Sequence, residues 1–283
     1  GLGVMGFAAL LYMLGIPYSS EDALRAAEDI MRFITDAARE ASYELGLERG
    51  SFPNFQKSWW AKDYEAMRNA TVTTIAPTGT ISMIADCSSG IEPVFSLVYT
   101  KNVMEGESLL YVNKYLQLAA DKYGFSLDEL ADARSIKGFA HVPHHIKEIF
   151  DTTFDVSPEQ HVRMQAAFQR YTDNAVSKTI NLPNSATEED VARAFKLAWE
   201  LKCKGITVYR DGSRTAQVLK AKAKEERAAV LPGYIKPRPR PAVVTGKTYK
   251  VKTELGNTYI TVSYTHLRAH ETEADLVCRL LLE

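Results

Sequence analysis

The stretch from Val176 to Tyr209 limits the fold of this chain more than any other. Residues 176–180 are rich in β-branched side chains and read as a strand. Thr187 with Asp190 three positions on caps a helix that runs to about Lys202, and residues 205–209 read as a second strand. A strand, a helix of that length and another strand form a crossover, and a crossover joins parallel strands. The class is therefore α/β. Other signals place further elements around this unit. Residues 7–14 are apolar nearly all round, as in a buried helix, and Gly15-Ile16-Pro17 ends it. Ser19 with Asp22 reads as a capping box for a long helix to about Leu45. Ser157-Pro158-Glu159-Gln160 opens a helix to about Tyr171. A short helix is expected near residues 63–68, a strand over 94–103, and a helical segment near 111–123.

A second stretch points to a ligand. Thr71-Val72-Thr73-Thr74-Ile75 reads as a strand, then comes Ala76-Pro77-Thr78-Gly79-Thr80-Ile81-Ser82, and Ile81 onward can start a helix. A strand that turns into a helix leaves backbone N–H groups without partners, at the end of the helix dipole that favours an anion. Gly79 allows close approach or a positive φ, and Thr78, Thr80 and Ser82 add hydroxyl donors without charge. No lysine follows the glycine, so this is not a Walker loop. The same residues also suit an ordinary strand-to-helix turn with Thr80 as N-cap, and local pattern leaves both readings open.

Composition narrows the class. With 283 residues, 46% hydrophobic and 24% charged, the chain can bury a sizeable core, and a formal net charge of −1 gives no general reason to expect nucleic acid or a membrane surface as partner. Its three cysteines, Cys87, Cys203 and Cys278, have no paired spacing, which fits a reducing, cytoplasmic setting. The opening Gly1-Leu2-Gly3-Val4-Met5-Gly6 has the spacing of a dinucleotide fingerprint but no strand before it, and is better read as permitting close helix packing. The aromatic stretch 51–55 with Trp59-Trp60 suits a base or corrin ring, but packing against the core is the commoner use. His141, His144 and His145 lack Cys or carboxylate partners at ligand spacing and read as solvated helix-start residues.

Longer ordered motifs carry a resemblance. Residues 69–82, then Cys87-Ser88-Ser89-Gly90-Ile91-Glu92-Pro93-Val94-Phe95, resemble the large catalytic chain of ribonucleotide reductase. Residues 174–183 and 204–214 are similar to its adenosylcobalamin-dependent (class II) branch, over a range from Gly1 to about Thr261. The resemblance implies the second half of a ten-stranded α/β barrel over residues 1–215. It implies a ribonucleotide substrate whose phosphates sit on Ala76, Pro77, Thr78, Gly79, Thr80, Ile81 and Ser82. It also implies adenosylcobalamin as cofactor, a thioredoxin-like or dithiol reductant, and a homodimer as an allowed assembly. Reductases fed by a radical subunit carry adjacent tyrosines where Val208-Tyr209 stands, and the single tyrosine agrees with the class II branch. The family's Asn-x-Cys-x-Glu motif, which holds the radical cysteine and its glutamate, does not occur here. Cys87 and Cys203 do not match the family's reducing cysteines and read as buried small apolar residues, so no catalytic or metal-binding residue is assigned and the fragment alone is expected to be inactive. The alternative is a non-catalytic nucleotide or phosphate binder.

Past Arg214 the character changes. Residues 216–245, with a charged run and Lys236-Pro237-Arg238-Pro239-Arg240-Pro241, read as a linker. Residues 246–262 read as a small β-hairpin module around Leu255-Gly256-Asn257, and residues 262–283 as a translated adapter sequence foreign to the fold.

Overall fold

A computed structural model of the chain describes residues 1–102, 108–131, 133–213, 246–253, 256–263 and 280–281. It divides into two units, Gly1–Lys224 and Glu225–Glu283.

The crossover dominates the first unit. β3 (Thr179–Leu182) pairs in parallel with β4 (Thr207–Arg210), and α7 (Glu188–Glu200) connects them. Both halves of the α7 capping box form: the Thr187 side chain accepts from the Asp190 N–H, and the Asp190 carboxylate accepts from the Thr187 N–H at 2.9 Å. The parallel arrangement continues on the other side of β3 through single bridges, Ile75 to Val176 and Leu2 to Thr73. The 71–75 segment expected as a strand is thus extended, with one partner on each side rather than a ladder along either. Gly1 and Gly3 meet this segment instead of a helix. A Cβ on Gly3 would stand 2.2 Å from the Thr74 carbonyl oxygen, so their small size serves close approach between backbones.

Helices cover this sheet. α1 (Phe7–Leu14), α2 (Glu21–Arg49) and α6 (Pro158–Gln169) bring Phe7, Leu11, Ala27, Met31, Met164 and Phe168 into one core with Ile75, Ile91 and Val176. The Phe7 and Phe168 rings meet edge to face with centroids 4.9 Å apart. α2 begins one residue later than the Ser19 cap implies. Ser20 is its N-cap and accepts from the Ala23 N–H at 3.1 Å, while the Ser19 N–H is drawn to the Asp151 carboxylate at 3.2 Å. α6 starts as its sequence dictates, with Ser157 accepting from the Gln160 N–H and Pro158 in the first turn.

Three local expectations change. Residues 63–68 form no helix; instead 3-10 turns at Phe55–Lys57 and Trp59–Lys62 fold the aromatic stretch into a small cluster of Phe55, Trp60 and Met67. The strand expected over 94–103 is β1 (Val98–Asn102). It pairs antiparallel with β2 (Ser108–Val112), where a helix was expected from Tyr111; residues 103–107 lie outside the described residues. Tyr99 and Tyr111 face each other across the pair with ring centroids 4.7 Å apart, a contact that rewards strand over helix, and Asn113 then caps α4 (Lys114–Tyr123). α5 is His144–Ile149.

In the second unit β5 (Gly246–Thr253) pairs antiparallel with β6 (Gly256–Ser263), and the short β7 (Leu280–Leu281) pairs with β6 at Ile260 and Tyr259. The linker read over 216–245 lies outside the described residues, as does most of the stretch read as an adapter. Among the described residues no helix is long and apolar enough to cross a membrane. No closed barrel is formed by the described strands.

Candidate functional site

The turn begins where the 71–75 segment ends against Val176. Thr78 adopts a left-handed conformation at φ 53°, and α3 (Gly79–Ile84) follows at once. A left-handed backbone is costly for a β-branched residue, so it persists only where surrounding contacts fix it. Here the Thr78 hydroxyl oxygen accepts from the Gly90 N–H at 2.7 Å. Gly90, itself at φ 46°, lies so close to the turn that a Cβ there would stand 3.3 Å from the Ala76 carbonyl oxygen. Ser82 is buried and shares a 2.9 Å hydrogen bond with Ser89.

These contacts redistribute the roles read from sequence. Thr78, not Gly79, takes the positive φ, and Thr78, not Thr80, stands at the N-cap position. The Thr78 and Ser82 hydroxyls are engaged within the protein, leaving Thr80 as the exposed hydroxyl of the three. The N–H groups of Gly79, Thr80 and Ile81 have no acceptor among the described residues, the Ser82 N–H being the first to bond, to the Thr78 carbonyl at 2.9 Å. Ala76, Pro77, Gly79 and Thr80 are exposed, and nothing lies within 4 Å of a Cβ built on Gly79. The seven residues thus gather into one turn, with Ser82 buried and three N–H donors left open at its exposed part. Beyond them Ile81, Met83 and Ile84 are 54%, 72% and 82% exposed, an apolar face on a very short helix.

The segment that tethers the turn is itself anchored. Glu92 accepts from the Thr179 N–H at 2.6 Å with one carboxylate oxygen and pairs with Lys178 Nζ at 2.5 Å with the other. Lys178 also donates to His161 Nδ1 at 2.8 Å and to the Thr179 carbonyl at 3.0 Å, and its side chain has no exposed surface. Burial lowers the Lys178 ammonium from its ordinary range, opposed by the Glu92 charge. Burial, then the neighbouring ammonium, holds His161 well below the usual histidine range, so the ring is neutral, with its Nδ1 lone pair toward Lys178 and its Nε2–H toward the Thr153 carbonyl at 3.4 Å. Sequence reasoning did not single out these three side chains. One signal was present: Val176, Lys178 and Ile180 share a strand face by alternation, and a lysine between two buried apolar residues calls for a buried partner.

Residues 1–209 match the family described as ribonucleotide reductase, barrel domain. The chain belongs to that family. It is 49% identical over 225 residues to a vitamin B12-dependent ribonucleoside-diphosphate reductase of Thermoplasma acidophilum, a match covering 78% of this chain and 29% of that protein. A protein of the same name from Mycobacterium tuberculosis is 48% identical over 227 residues, covering 79% of this chain and 32% of its own length. Among solved structures, the Actinobacillus ureae class Id ribonucleotide reductase alpha subunit superposes with a TM-score of 0.63 at 26% identity, over 75% of this chain and 39% of that one. The chain spans about a third of the length of these two curated relatives.

Cys87 and Cys203 are half-buried rather than buried, and burial pushes the Cys203 thiol up to about 11, away from a reactive thiolate. His141 lies 3.4 Å from Glu129 and His144 3.6 Å from Glu148, and among the described residues no group of His, Cys, Asp or Glu is arranged to hold a metal ion. Trp59 and Trp60 stack on each other at 3.9 Å, and Trp60 is buried in the aromatic cluster. That leaves one exposed indole, which is no bed for a corrin.

Proposed function

We propose that this chain is the substrate-phosphate-binding part of an adenosylcobalamin-dependent ribonucleotide reductase. The whole enzyme would convert ribonucleotides to deoxyribonucleotides by thiyl-radical chemistry, with a thioredoxin-like or dithiol reductant. Residues 1–215 would form the second half of its ten-stranded barrel, 216–245 a linker and 246–262 a small β-hairpin module, with 262–283 foreign to the fold. The vitamin B12 dependence named for the relatives supports the cofactor. The aromatic stretch around Trp59 and Trp60 offers that cofactor no fitting bed, and no step through it is assigned to the described residues. Neither Cys87 nor Cys203 has a glutamate two residues on, so in this reading neither is the radical cysteine.

The observation that carries the reading is the trio of N–H groups at Gly79, Thr80 and Ile81, open at the end of a strand-to-helix turn. Such donors bind phosphate oxygens through backbone geometry and partial charge. Gly79 completes the seat because its side is empty: a larger residue would occupy the ligand's approach without meeting the protein. Gly79→Val in a complete enzyme carrying this segment should therefore leave the fold intact and weaken nucleotide binding about tenfold or more, roughly 1.4 kcal/mol. Unchanged affinity in a folded variant would remove the turn from the site. Nucleotide binding with no deoxyribonucleotide formed, even when the chain is extended through an Asn-x-Cys-x-Glu motif, would favour the non-catalytic phosphate binder.

A further inference from the structure

We propose that Glu92 is a positioning residue for the phosphate turn and that Lys178 serves as its counter-charge, so that the pair fixes the turn while hiding a carboxylate from the bound anion. This inference rests on the turn being the phosphate seat. Thr78, whose left-handed backbone aims the three N–H groups, is tethered by its hydroxyl to the Gly90 N–H at 2.7 Å. Gly90 is two residues from Glu92, and Glu92 is bound to β3 through the Thr179 N–H and Lys178 Nζ. Strand register thus reaches the turn by one short path, from Thr179 through Glu92 and Gly90 to Thr78.

The same path puts a carboxylate two residues beyond Gly90, on the segment that holds the turn, and an unpaired carboxylate there would repel an anion. Lys178 cancels that charge. It is not itself a phosphate ligand, because its side chain is wholly buried and its other contacts are the His161 ring nitrogen and the Thr179 carbonyl, both neutral. Glu92 keeps 24% of its side chain exposed where Lys178 exposes none, so of the two charges the carboxylate is the one open to solvent.

The test measures affinities of a nucleoside monophosphate and the matching diphosphate for the intact chain and four variants, each with its melting temperature. Lys178→Met exposes the lone carboxylate and should weaken the diphosphate about tenfold but the monophosphate only about threefold. Glu92→Gln keeps an acceptor for the Thr179 N–H and removes the charge. It should bind the diphosphate at least as well as the parent although it melts lower. Glu92→Ala removes the tether and should weaken both ligands alike. The double variant Glu92→Gln/Lys178→Met, neutral and similar in volume, should melt above either single variant and keep diphosphate affinity within about threefold of the parent. Affinities that simply follow melting temperature across the set, or an unchanged ratio between the two ligands in Lys178→Met, would overturn the proposal. A parent chain whose affinity is the same for the diphosphate and the free nucleoside would overturn the phosphate-seat reading beneath it.

Discussion

The crossover unit and the turn reach order by opposite routes. In β3, α7 and β4, near neighbours supply the instructions: Thr187 and Asp190 cap each other, and Ala194 and Ala198 follow helical spacing into a core with Ile180 and Val162. In residues 76–92 the decisive contacts come from far along the chain. Glu92 is bound by Lys178 and Thr179, 86 and 87 positions away, and through Gly90 it holds Thr78 in a conformation threonine rarely adopts. The difference teaches that a turn with open donors and an exposed apolar helix cannot stabilise itself. Its order is imported from the strand beside it.

If so, damage to the import should cost far more than damage to a local cap. Glu92→Ala leaves the Lys178 ammonium buried without its partner, and equilibrium denaturation should show a loss of about 3 kcal/mol, at the low end for a broken buried pair because the carboxylate is partly exposed. A loss below about 1 kcal/mol would break the comparison. Next comes His161, whose Nδ1 accepts from Lys178; His161→Leu should cost about 1–3 kcal/mol through the lost acceptor. Its pH dependence sharpens the point. The folded state holds His161 neutral, below its unfolded pKa of about 6.5, so this contribution is complete above that pH and is lost as pH falls toward the folded value. The difference in stability between parent and His161→Leu should therefore shrink below about pH 6.5 in denaturation series, and a constant difference would remove the histidine from the network. The local side should respond less. Thr187→Ala should cost about 1 kcal/mol, and Ser20→Ala slightly less, whereas Ser19→Ala should change little because only its backbone is engaged. Equal losses at Ser19 and Ser20 would return the α2 cap to the position the sequence suggested.

Where instructions were local, the sequence was readable. Phe7–Leu14 and the Ser157 cap follow from apolar spacing and capping pairs complete within a dozen or so residues, and the βαβ order follows from the length of one connection. The turn was legible as a location, since a strand-like run into Pro-Thr-Gly-Thr predicts open N–H groups there. Its inner arrangement was not. Gly79 was the natural candidate for a positive φ, yet Thr78 takes it, with its hydroxyl accepting from the N–H of Gly90 twelve residues on. Likewise Tyr111 suited a helix until Tyr99 stood opposite it. By itself the sequence determined α1, α6 and α7, the Ser157 and Thr187 caps and the crossover that makes β3 and β4 parallel, because these depend on apolar spacing, capping pairs and the length of the connection. The tertiary structure alone decided which hydroxyls face inward, which residue carries the strained backbone, and that Lys178, Glu92 and His161 meet, because a buried charge is stable only with partners that distant parts of the chain must bring.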